Sequence, residues 1–322
     1  MKAKKTGFTL VELLVVISII ALLLAVLVPA MKRAKEIARR IVCSSQLRQV
    51  GIGMRAYASS YDGQLPADYI WDTTDPKNPK KTKETHPYVL YRGDKAPWTK
   101  GQTADGRTLA WPLRLAWLYE KKFIGEPRTF YCQGNVDRLY RYESYTNPAP
   151  WGFLPQESCY TPPRGISSNG NQWVRSGYSY YPTDPTSTKN MDWMVVPASN
   201  QTPAIYAPVE TTEKFDRLDK AIPYMTDSIN SRSGLAHKSG MKVNGTEVTL
   251  ANAGLNALFA DGHVVFATNK AIFTDPQWDG WDIPEGSDVP RTILASDYPK
   301  FYYKIFLLIG GNRVGLTGGR TR

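Results

Sequence analysis

The sequence predicts an α+β fold: a long N-terminal α-helix, transmembrane in its first half, packed on a C-terminal domain with an antiparallel β-sheet and long loops. The helix is predicted by a nearly unbroken apolar run over residues 8–30 that continues into a helical pattern. The sheet is predicted by Asn244-Gly245 and Asp261-Gly262, two hairpin signals that lie between apolar stretches. Of the 322 residues, 42% are hydrophobic, so a packed domain of one large or two smaller units fits beyond the helix.

The apolar run is long enough to cross a bilayer. Its 23 residues would extend about 35 Å as a helix, and the hydrocarbon core needs about 20 residues. Glu12 lies inside this run, where a carboxylate costs roughly 2.5 kcal/mol or more, so it needs a partner. Residues 1–7 carry three lysines and no acid, like the start of an export signal, but the usual small-residue cleavage pattern does not follow the run.

Beyond Pro29 the helical pattern continues. Apolar residues recur mostly at steps of three or four, and Arg and Lys fill much of the rest. These apolar residues are Ile37, Ile41, Leu47, Val50, Met54, Tyr57 and Tyr61. Asp62-Gly63 predicts the end of the helix near Tyr61, and Pro66 prevents its return. We expect the outer half of the helix to pack this apolar stripe on the globular domain.

A second helix is predicted over residues 111–123, on the pattern of its apolar side chains. Those side chains are Leu113, Leu115, Trp117, Leu118 and Phe123. Much of the remaining sequence between positions 68 and 181 is rich in Pro, Gly, Tyr and Trp, which predicts long ordered loops.

The start of the apolar run carries a recognisable motif, Gly7-Phe8-Thr9-Leu10-Val11-Glu12-Leu13-Leu14. It resembles the processing site of type IV prepilins and of type II secretion pseudopilins. The resemblance implies that a membrane peptidase cleaves after Gly7, that Phe8 becomes the N-methylated first residue, and that Pro29 marks the helix kink. It also implies an assembly role for Glu12, which would neutralise the N-terminal ammonium of a neighbouring subunit where apolar helices bundle.

The same resemblance implies a domain organisation. Residues 1–7 would be a prepilin leader, residues 8–30 a transmembrane and filament-core segment, residues 31–62 the exported amphipathic half of the helix, and residues 63–322 a globular pilin-like domain. The expected location is the bacterial inner membrane, crossed once, with the large domain periplasmic or extracellular and the chain in a filament after assembly. A basic group after the run would by itself favour the reverse orientation, and the motif outweighs it. This group is Lys32, Arg33, Lys35, Arg39 and Arg40.

Implied partners are other pilin-like subunits, the prepilin peptidase and methylase, an inner-membrane assembly platform and the lipid bilayer. The formal net charge is +11, and it would be +8 without the three leader lysines. Such a charge can attract nucleic acid, anionic lipid or acidic polysaccharide, but a solvated basic surface is the simpler interpretation. No nucleic-acid motif is present, so a nucleic-acid partner is not favoured.

The segments 43–51, 57–66 and 255–264 resemble one branch of these proteins, which carries a C-terminal His-x9-Asp-Gly motif. Asp261 and Gly262 match its end, and His237 would be the histidine. Here 23 residues rather than nine separate His237 from Asp261, so either a hairpin is inserted or His237 is not the counterpart. Asp261, Gly262 and His263 are first interpreted as turn formers.

Three cysteines allow one disulfide in an exported domain. Pairing Cys43 with Cys132 would fasten the domain to its helix, and this is the preferred pairing. Cys132 with Cys159, and three free thiols, stay open as alternatives.

The chain is predicted to be a structural subunit and not an enzyme, because it has three histidines and lacks a phosphate loop, a nucleophile elbow and a zinc helix.

The alternative function is a membrane-tethered or filament-tip adhesin that binds acidic polysaccharide through an aromatic surface. Its candidate contact residues are Trp71, Trp98, Trp151, Trp173, Tyr178, Tyr180 and Tyr181. No cofactor is predicted apart from a candidate calcium loop around Asp275, Asp279 and Asp282, whose spacing matches no EF-hand.

Overall fold

The computed structural model describes residues 9–67, 69–72, 80–83, 87–92, 99–102, 108–135, 140–145, 153–154, 173–182, 194–195, 205–206, 212–229, 235–237, 253–273 and 298–310. Within these ranges it has a long helix followed by a domain with antiparallel sheets. The predicted α+β class is confirmed.

Helix α1 spans Leu10–Ser60 and continues through Pro29. Its N-cap is Thr9, whose hydroxyl accepts a hydrogen bond from the backbone N–H of Glu12, while the Glu12 carboxylate accepts one from the backbone N–H of Thr9. This reciprocal capping box satisfies donors that a helix start leaves unpaired. The helix ends where predicted, since Asp62 and Gly63 both have positive φ and the Gly63 N–H donates to the carbonyl of Ala58.

The two halves of α1 have opposite environments. All residues from 9 to 35 are exposed, whereas the buried side begins at Cys43. Its buried residues recur at helical spacing, and they are Cys43, Leu47, Val50, Gly51, Gly53, Met54, Tyr57 and Ala58. Ile37 and Ile41, which the sequence analysis placed in the packed stripe, are instead 54% and 64% exposed.

The sheet under α1 has four antiparallel strands in the order β13-β12-β11-β8. The strands are β8 (Tyr178–Tyr180), β11 (Met225–Asp227), β12 (Leu255–Leu258) and β13 (Val264–Ala267). The last two form the predicted hairpin, and Leu258 pairs with Val264. Gly262, with φ of 91°, closes a turn in which its N–H donates to the carbonyl of Phe259. The second predicted hairpin, at Asn244-Gly245, lies outside the described residues.

A second sheet has the strand order β4-β5-β3-β7, and β6 pairs with β5. Two further sheets have two strands each: β1 pairs with β2, and β9 pairs with β10. These strands are β1 (Tyr69–Asp72), β2 (Lys80–Lys83), β3 (Val89–Arg92), β4 (Thr99–Gln102), β5 (Thr108–Pro112), β6 (Phe153–Leu154), β7 (Trp173–Arg175), β9 (Met194–Val195) and β10 (Ile205–Tyr206). Strands therefore occupy stretches between positions 68 and 181 that the sequence analysis assigned to long loop, and that prediction was wrong there.

The predicted second helix is much shorter than expected. Helix α2 is confined to Ala116–Glu120, and Trp111 lies in β5. The cause is strand pairing: the N–H of Leu113 extends the strand ladder by donating to the carbonyl of Leu90, and Arg114 then turns the chain with φ of 47°. Leu113, Leu115 and Leu118 are nevertheless buried, as their apolar pattern indicated.

The described core has two parts. One lies beneath the outer half of α1, where Leu47, Val50 and Met54 belong to the same buried cluster as Leu118 and Leu258. The other lies beneath α3 (Tyr298–Gly310), a helix that the sequence analysis missed although Phe301, Tyr302, Ile305 and Phe306 repeat at helical steps and are buried. Short 3-10 helices, Pro127–Phe130, Tyr142–Tyr145, Phe215–Arg217 and Lys270–Phe273, join these elements.

Candidate functional site

The first candidate site is the exposed half of α1, here called the apolar segment, residues 10–28. It is long and apolar enough to cross a membrane, and no part of its most apolar stretch is buried within the chain. Large apolar side chains such as Leu10, Val26 and Leu22 are 69–86% exposed. A continuous apolar surface of this size requires cover from lipid or from other protein.

Glu12 is the acidic residue within the apolar segment. Its Oε2 accepts hydrogen bonds from the backbone N–H and the hydroxyl of Thr9, at 2.9 and 2.8 Å. Its Oε1 makes no hydrogen bond to any residue that the structure describes. One carboxylate oxygen therefore holds the start of the helix, and the other has no donor among the residues that the structure describes. Gly7 and Phe8, the predicted processing residues, lie outside the described residues.

The second candidate site is a buried group of residues, here called the Cys–His–Asp cluster: Cys43, Cys132, Asp227 and His237. A disulfide joins Cys43 of α1 to Cys132, which follows the 3-10 helix Pro127–Phe130. This is the pairing that the sequence analysis preferred, and it ties α1 to the domain across 89 positions of sequence. All four side chains are at most 2% exposed.

His237 connects this cluster to the helix and to the sheet. Its Nδ1 lies 2.9 Å from Oε1 of Glu36 on α1. Its Nε2 lies 3.4 Å from Sγ of Cys132 and 3.6 Å from Oδ2 of Asp227. A carboxylate only accepts hydrogen bonds, so the contact with Glu36 fits the His237 tautomer that carries a proton on Nδ1, and Nε2 then lies towards Cys132 and Asp227.

Asp227 ends β11 and is completely buried. Its Oδ2 accepts hydrogen bonds from the backbone N–H and side-chain amide of Asn256, at 2.7 and 3.0 Å. Burial raises the pKa of this carboxyl, while His237 and the Asn256 hydrogen bonds oppose the shift. Its Oδ1 is buried without a hydrogen-bond partner among the described residues.

The raised pKa of Asp227 predicts a pH dependence of stability. An acid whose pKa is higher in the folded than in the unfolded state binds more protons when folded. The free energy of unfolding therefore falls as pH rises from about 3.9, the ordinary aspartate pKa, to the pKa of Asp227 in the folded state. Asp227→Asn should remove that fall. We expect the unfolding free energy of the variant minus that of the wild type to increase between about pH 4 and pH 7, as measured by denaturant titrations at each pH.

Asp261→Asn is the matched control, because the pKa of Asp261 is shifted in the opposite direction. Partial burial opposes the charged form of Asp261, but hydrogen bonds from His263 outweigh it and lower the pKa. The difference between Asp261→Asn and the wild type should therefore fall as pH rises towards about 3.9, and should stay nearly constant between about pH 4 and pH 7. A difference for Asp227→Asn that does not change with pH would contradict the assignment.

The residues of the His-x9-Asp-Gly-like motif lie in different parts of the fold. His237 is buried and forms an isolated antiparallel bridge with Gly254, directly before β12. His237 and Gly254 thus lie opposite each other at the two ends of the intervening stretch, which is the pairing that an inserted hairpin would need. Asp261 and Gly262 form the exposed hairpin turn, where Asp261 accepts a hydrogen bond from the N–H of His263.

Four of the seven aromatic residues proposed for the adhesin surface are buried in the structure. Trp173, Tyr178, Tyr180 and Tyr181 are at most 7% exposed and belong to the core. The side chains of Trp71, Trp98 and Trp151 lie outside the described residues, as do Asp275, Asp279 and Asp282 of the candidate calcium loop and Cys159.

Sequence reasoning missed the acidic partners of His237. Glu36 could have been found, because it precedes Cys43 by seven positions and so lies in phase with the buried side of α1. Asp227 carried no such signal, since only strand pairing brings it beside the helix.

Comparison with known protein families gives two matches to this chain. The family model described as "Prokaryotic N-terminal methylation motif" matches residues 2–28, and the one described as "Protein of unknown function (DUF1559)" matches residues 32–118. No curated protein and no solved structure matches the chain. Together with the long apolar helix and the antiparallel sheets, the two matches support a protein of the type IV pilin-like or pseudopilin-like class. The methylation motif and the DUF1559 segment agree with the resemblance stated from the sequence.

Proposed function

We propose that this chain is a structural subunit of an extracytoplasmic filament of the type IV pilus or type II secretion kind. It is matured by cleavage after Gly7 and N-methylation of Phe8, and it passes from the inner membrane into the filament with its large domain outside. The observation that carries this proposal is the apolar segment, which is exposed along its whole length and bears Glu12 near its start.

The energetics of the apolar segment favour a buried destination. Burying one Val, Leu or Ile side chain is worth about 1.5–3 kcal/mol, so covering the whole segment is worth on the order of tens of kcal/mol. Lipid supplies this cover before assembly, and neighbouring helices supply it afterwards. The same segment can therefore act as a membrane anchor and as a filament core.

Glu12 gives the assembled state its register. The ammonium created by cleavage after Gly7 would be buried at high cost among apolar helices unless a carboxylate neutralised it. Oε1 of Glu12 is open to a donor from a neighbouring subunit, while Oε2 stays on Thr9. Charge pairing at this depth would favour one stagger between adjacent helices over the others.

Blocking the cleavage tests the proposal. Gly7→Val should prevent processing, so the chain should keep residues 1–7, remain in the membrane fraction and be absent from fibres sheared off the cells, as measured by mass spectrometry and immunoblotting of both fractions. Thr6→Val, one position earlier, is the matched control and should be processed and assembled normally. Wild-type amounts of Gly7→Val in sheared fibres would contradict the proposal.

A further inference from the structure

The Cys–His–Asp cluster brings together four side chains of the types that bind zinc. They come from four separate parts of the chain: α1, the segment after the 3-10 helix Pro127–Phe130, the end of β11, and the bridge opposite Gly254. Their ligand atoms all lie within 4.8 Å of one another, and all four residues are buried. Structural zinc sites use the same donors, thiolate sulfur, imidazole nitrogen and carboxylate oxygen.

The distances around His237 fit a tetrahedral ion. Zinc bonds of about 2.0–2.3 Å place neighbouring ligand atoms of a tetrahedron about 3.3–3.8 Å apart. Nε2 of His237 lies 3.4 Å from Sγ of Cys132 and 3.6 Å from Oδ2 of Asp227. The two sulfur atoms are too close for two separate ligands, because they are bonded to each other in the disulfide.

The surroundings supply the outer contacts that metal ligands require. A histidine ligand usually donates its second ring N–H to a carboxylate, and Glu36 lies 2.9 Å from Nδ1 of His237. Asn256 holds Asp227 by two hydrogen bonds to Oδ2, and the buried Oδ1 has no hydrogen-bond partner in the described part of the chain. Buried polar atoms are normally satisfied, so Asp227 has one carboxylate oxygen that Asn256 does not hold.

We propose that the reduced chain binds one zinc ion through Cys43, Cys132, Asp227 and His237, and that zinc and the disulfide are alternative ways to close the same site. In a newly synthesised chain, Cys43 and Cys132 both carry thiols. Zinc binding releases their two protons to solvent without a change of redox state. Formation of the disulfide instead transfers two electrons, with loss of the two thiol protons, to an external disulfide oxidant, and it removes both thiolate ligands. This site does not depend on the proposed filament function.

Metal titration of the full chain in detergent micelles tests the site. The protein is reduced with a phosphine, freed of reductant and titrated with Co²⁺ and with Zn²⁺ under anaerobic conditions. We expect about one ion per chain, a thiolate-to-cobalt charge-transfer band with tetrahedral d–d bands, and no binding to the oxidised chain. Glu36→Gln, which removes the negative charge from the outer contact of His237, should weaken zinc affinity by about 10–100-fold.

Two ligand variants and one control decide the result. His237→Ala and Asp227→Asn should lose the tetrahedral cobalt spectrum, whereas His263→Ala, an exposed histidine on the hairpin, should keep it. Re-formation of the Cys43–Cys132 bridge on oxidation, measured by peptide mapping, shows that each variant still folds. Absence of metal binding to the reduced wild type, or binding that survives both ligand variants, would overturn the proposal.

Discussion

Glu12→Val should prevent the chain from entering filaments while leaving it in the membrane. The variant keeps an apolar helix, so its insertion should be unaffected or improved. Assembly would then bury an N-terminal ammonium with no counter-charge, and breaking a buried pair in this way costs about 3–5 kcal/mol. That free energy corresponds to a loss of more than about 100-fold in incorporation. The measurement is the ratio of the chain in sheared fibres to that in the membrane fraction.

Val16→Ala is the matched control for this experiment. Val16 lies one helical turn beyond Glu12 on the same side of α1, and its replacement changes no charge. It should assemble at close to the wild-type level. Glu12→Asp keeps the charge on a shorter side chain and should retain part of the assembly. Sheared fibres that contain Glu12→Val at the wild-type level would show that Glu12 has no role in assembly.

Cys43→Ser should strongly destabilise the globular domain. The bridge to Cys132 closes a loop of 89 positions, and the chain-entropy argument assigns such a loop a stabilisation of about 4–5 kcal/mol. For a domain of this size, we expect the melting temperature to fall by about 8–15 °C. Denaturant unfolding in detergent, followed by tryptophan fluorescence with a metal chelator present, measures the effect without a contribution from zinc.

Two further variants separate the bridge from the individual side chains. The double variant Cys43→Ser with Cys132→Ser should be about as unstable as Cys43→Ser, because both remove the same cross-link. Cys159→Ser should have the stability of the wild type. A Cys43→Ser variant whose unfolding free energy lies within about 1 kcal/mol of the wild type would contradict a stabilising bridge.

The long helix could be predicted from the sequence because its signals are local. The apolar run, the Asp62-Gly63 ending and the helical spacing of Leu47, Val50 and Met54 each depend on near neighbours in the chain, and the structure agrees with them. The hairpin around Gly262 is local in the same sense. Ile37 and Ile41 were misassigned because the pattern repeats at helical steps without showing where the contact with the domain begins.

The sheets and the buried cluster depend on contacts between distant positions. No local pattern sets Asp227 beside His237, or Glu36 beside a residue some 200 positions later. The helix predicted over residues 111–123 failed for a related reason, since pairing of β5 with β3 outweighed the helical preference of its first residues. Helix α3 was overlooked although the spacing of its apolar residues indicates a helix, and the burial of those residues in the second part of the core explains the spacing.

The structure also relates the two candidate sites to each other. The disulfide and the Glu36–His237 contact hold the outer half of α1 on the domain, directly after the stretch that is exposed throughout. An exposed helix fixed rigidly to its domain can carry that domain into a filament in one orientation. Loss of the bridge should therefore affect stability first, and assembly through it.

Intact-mass spectrometry of the protein from native membranes and shed fibres tests the filament-subunit proposal most directly. We predict a mature chain that lacks residues 1–7 and carries one added methyl group. Reduction should raise its mass by about two daltons for the single bridge. A mature pool that still carries residues 1–7 would contradict the proposal and would leave the apolar segment as a permanent membrane anchor.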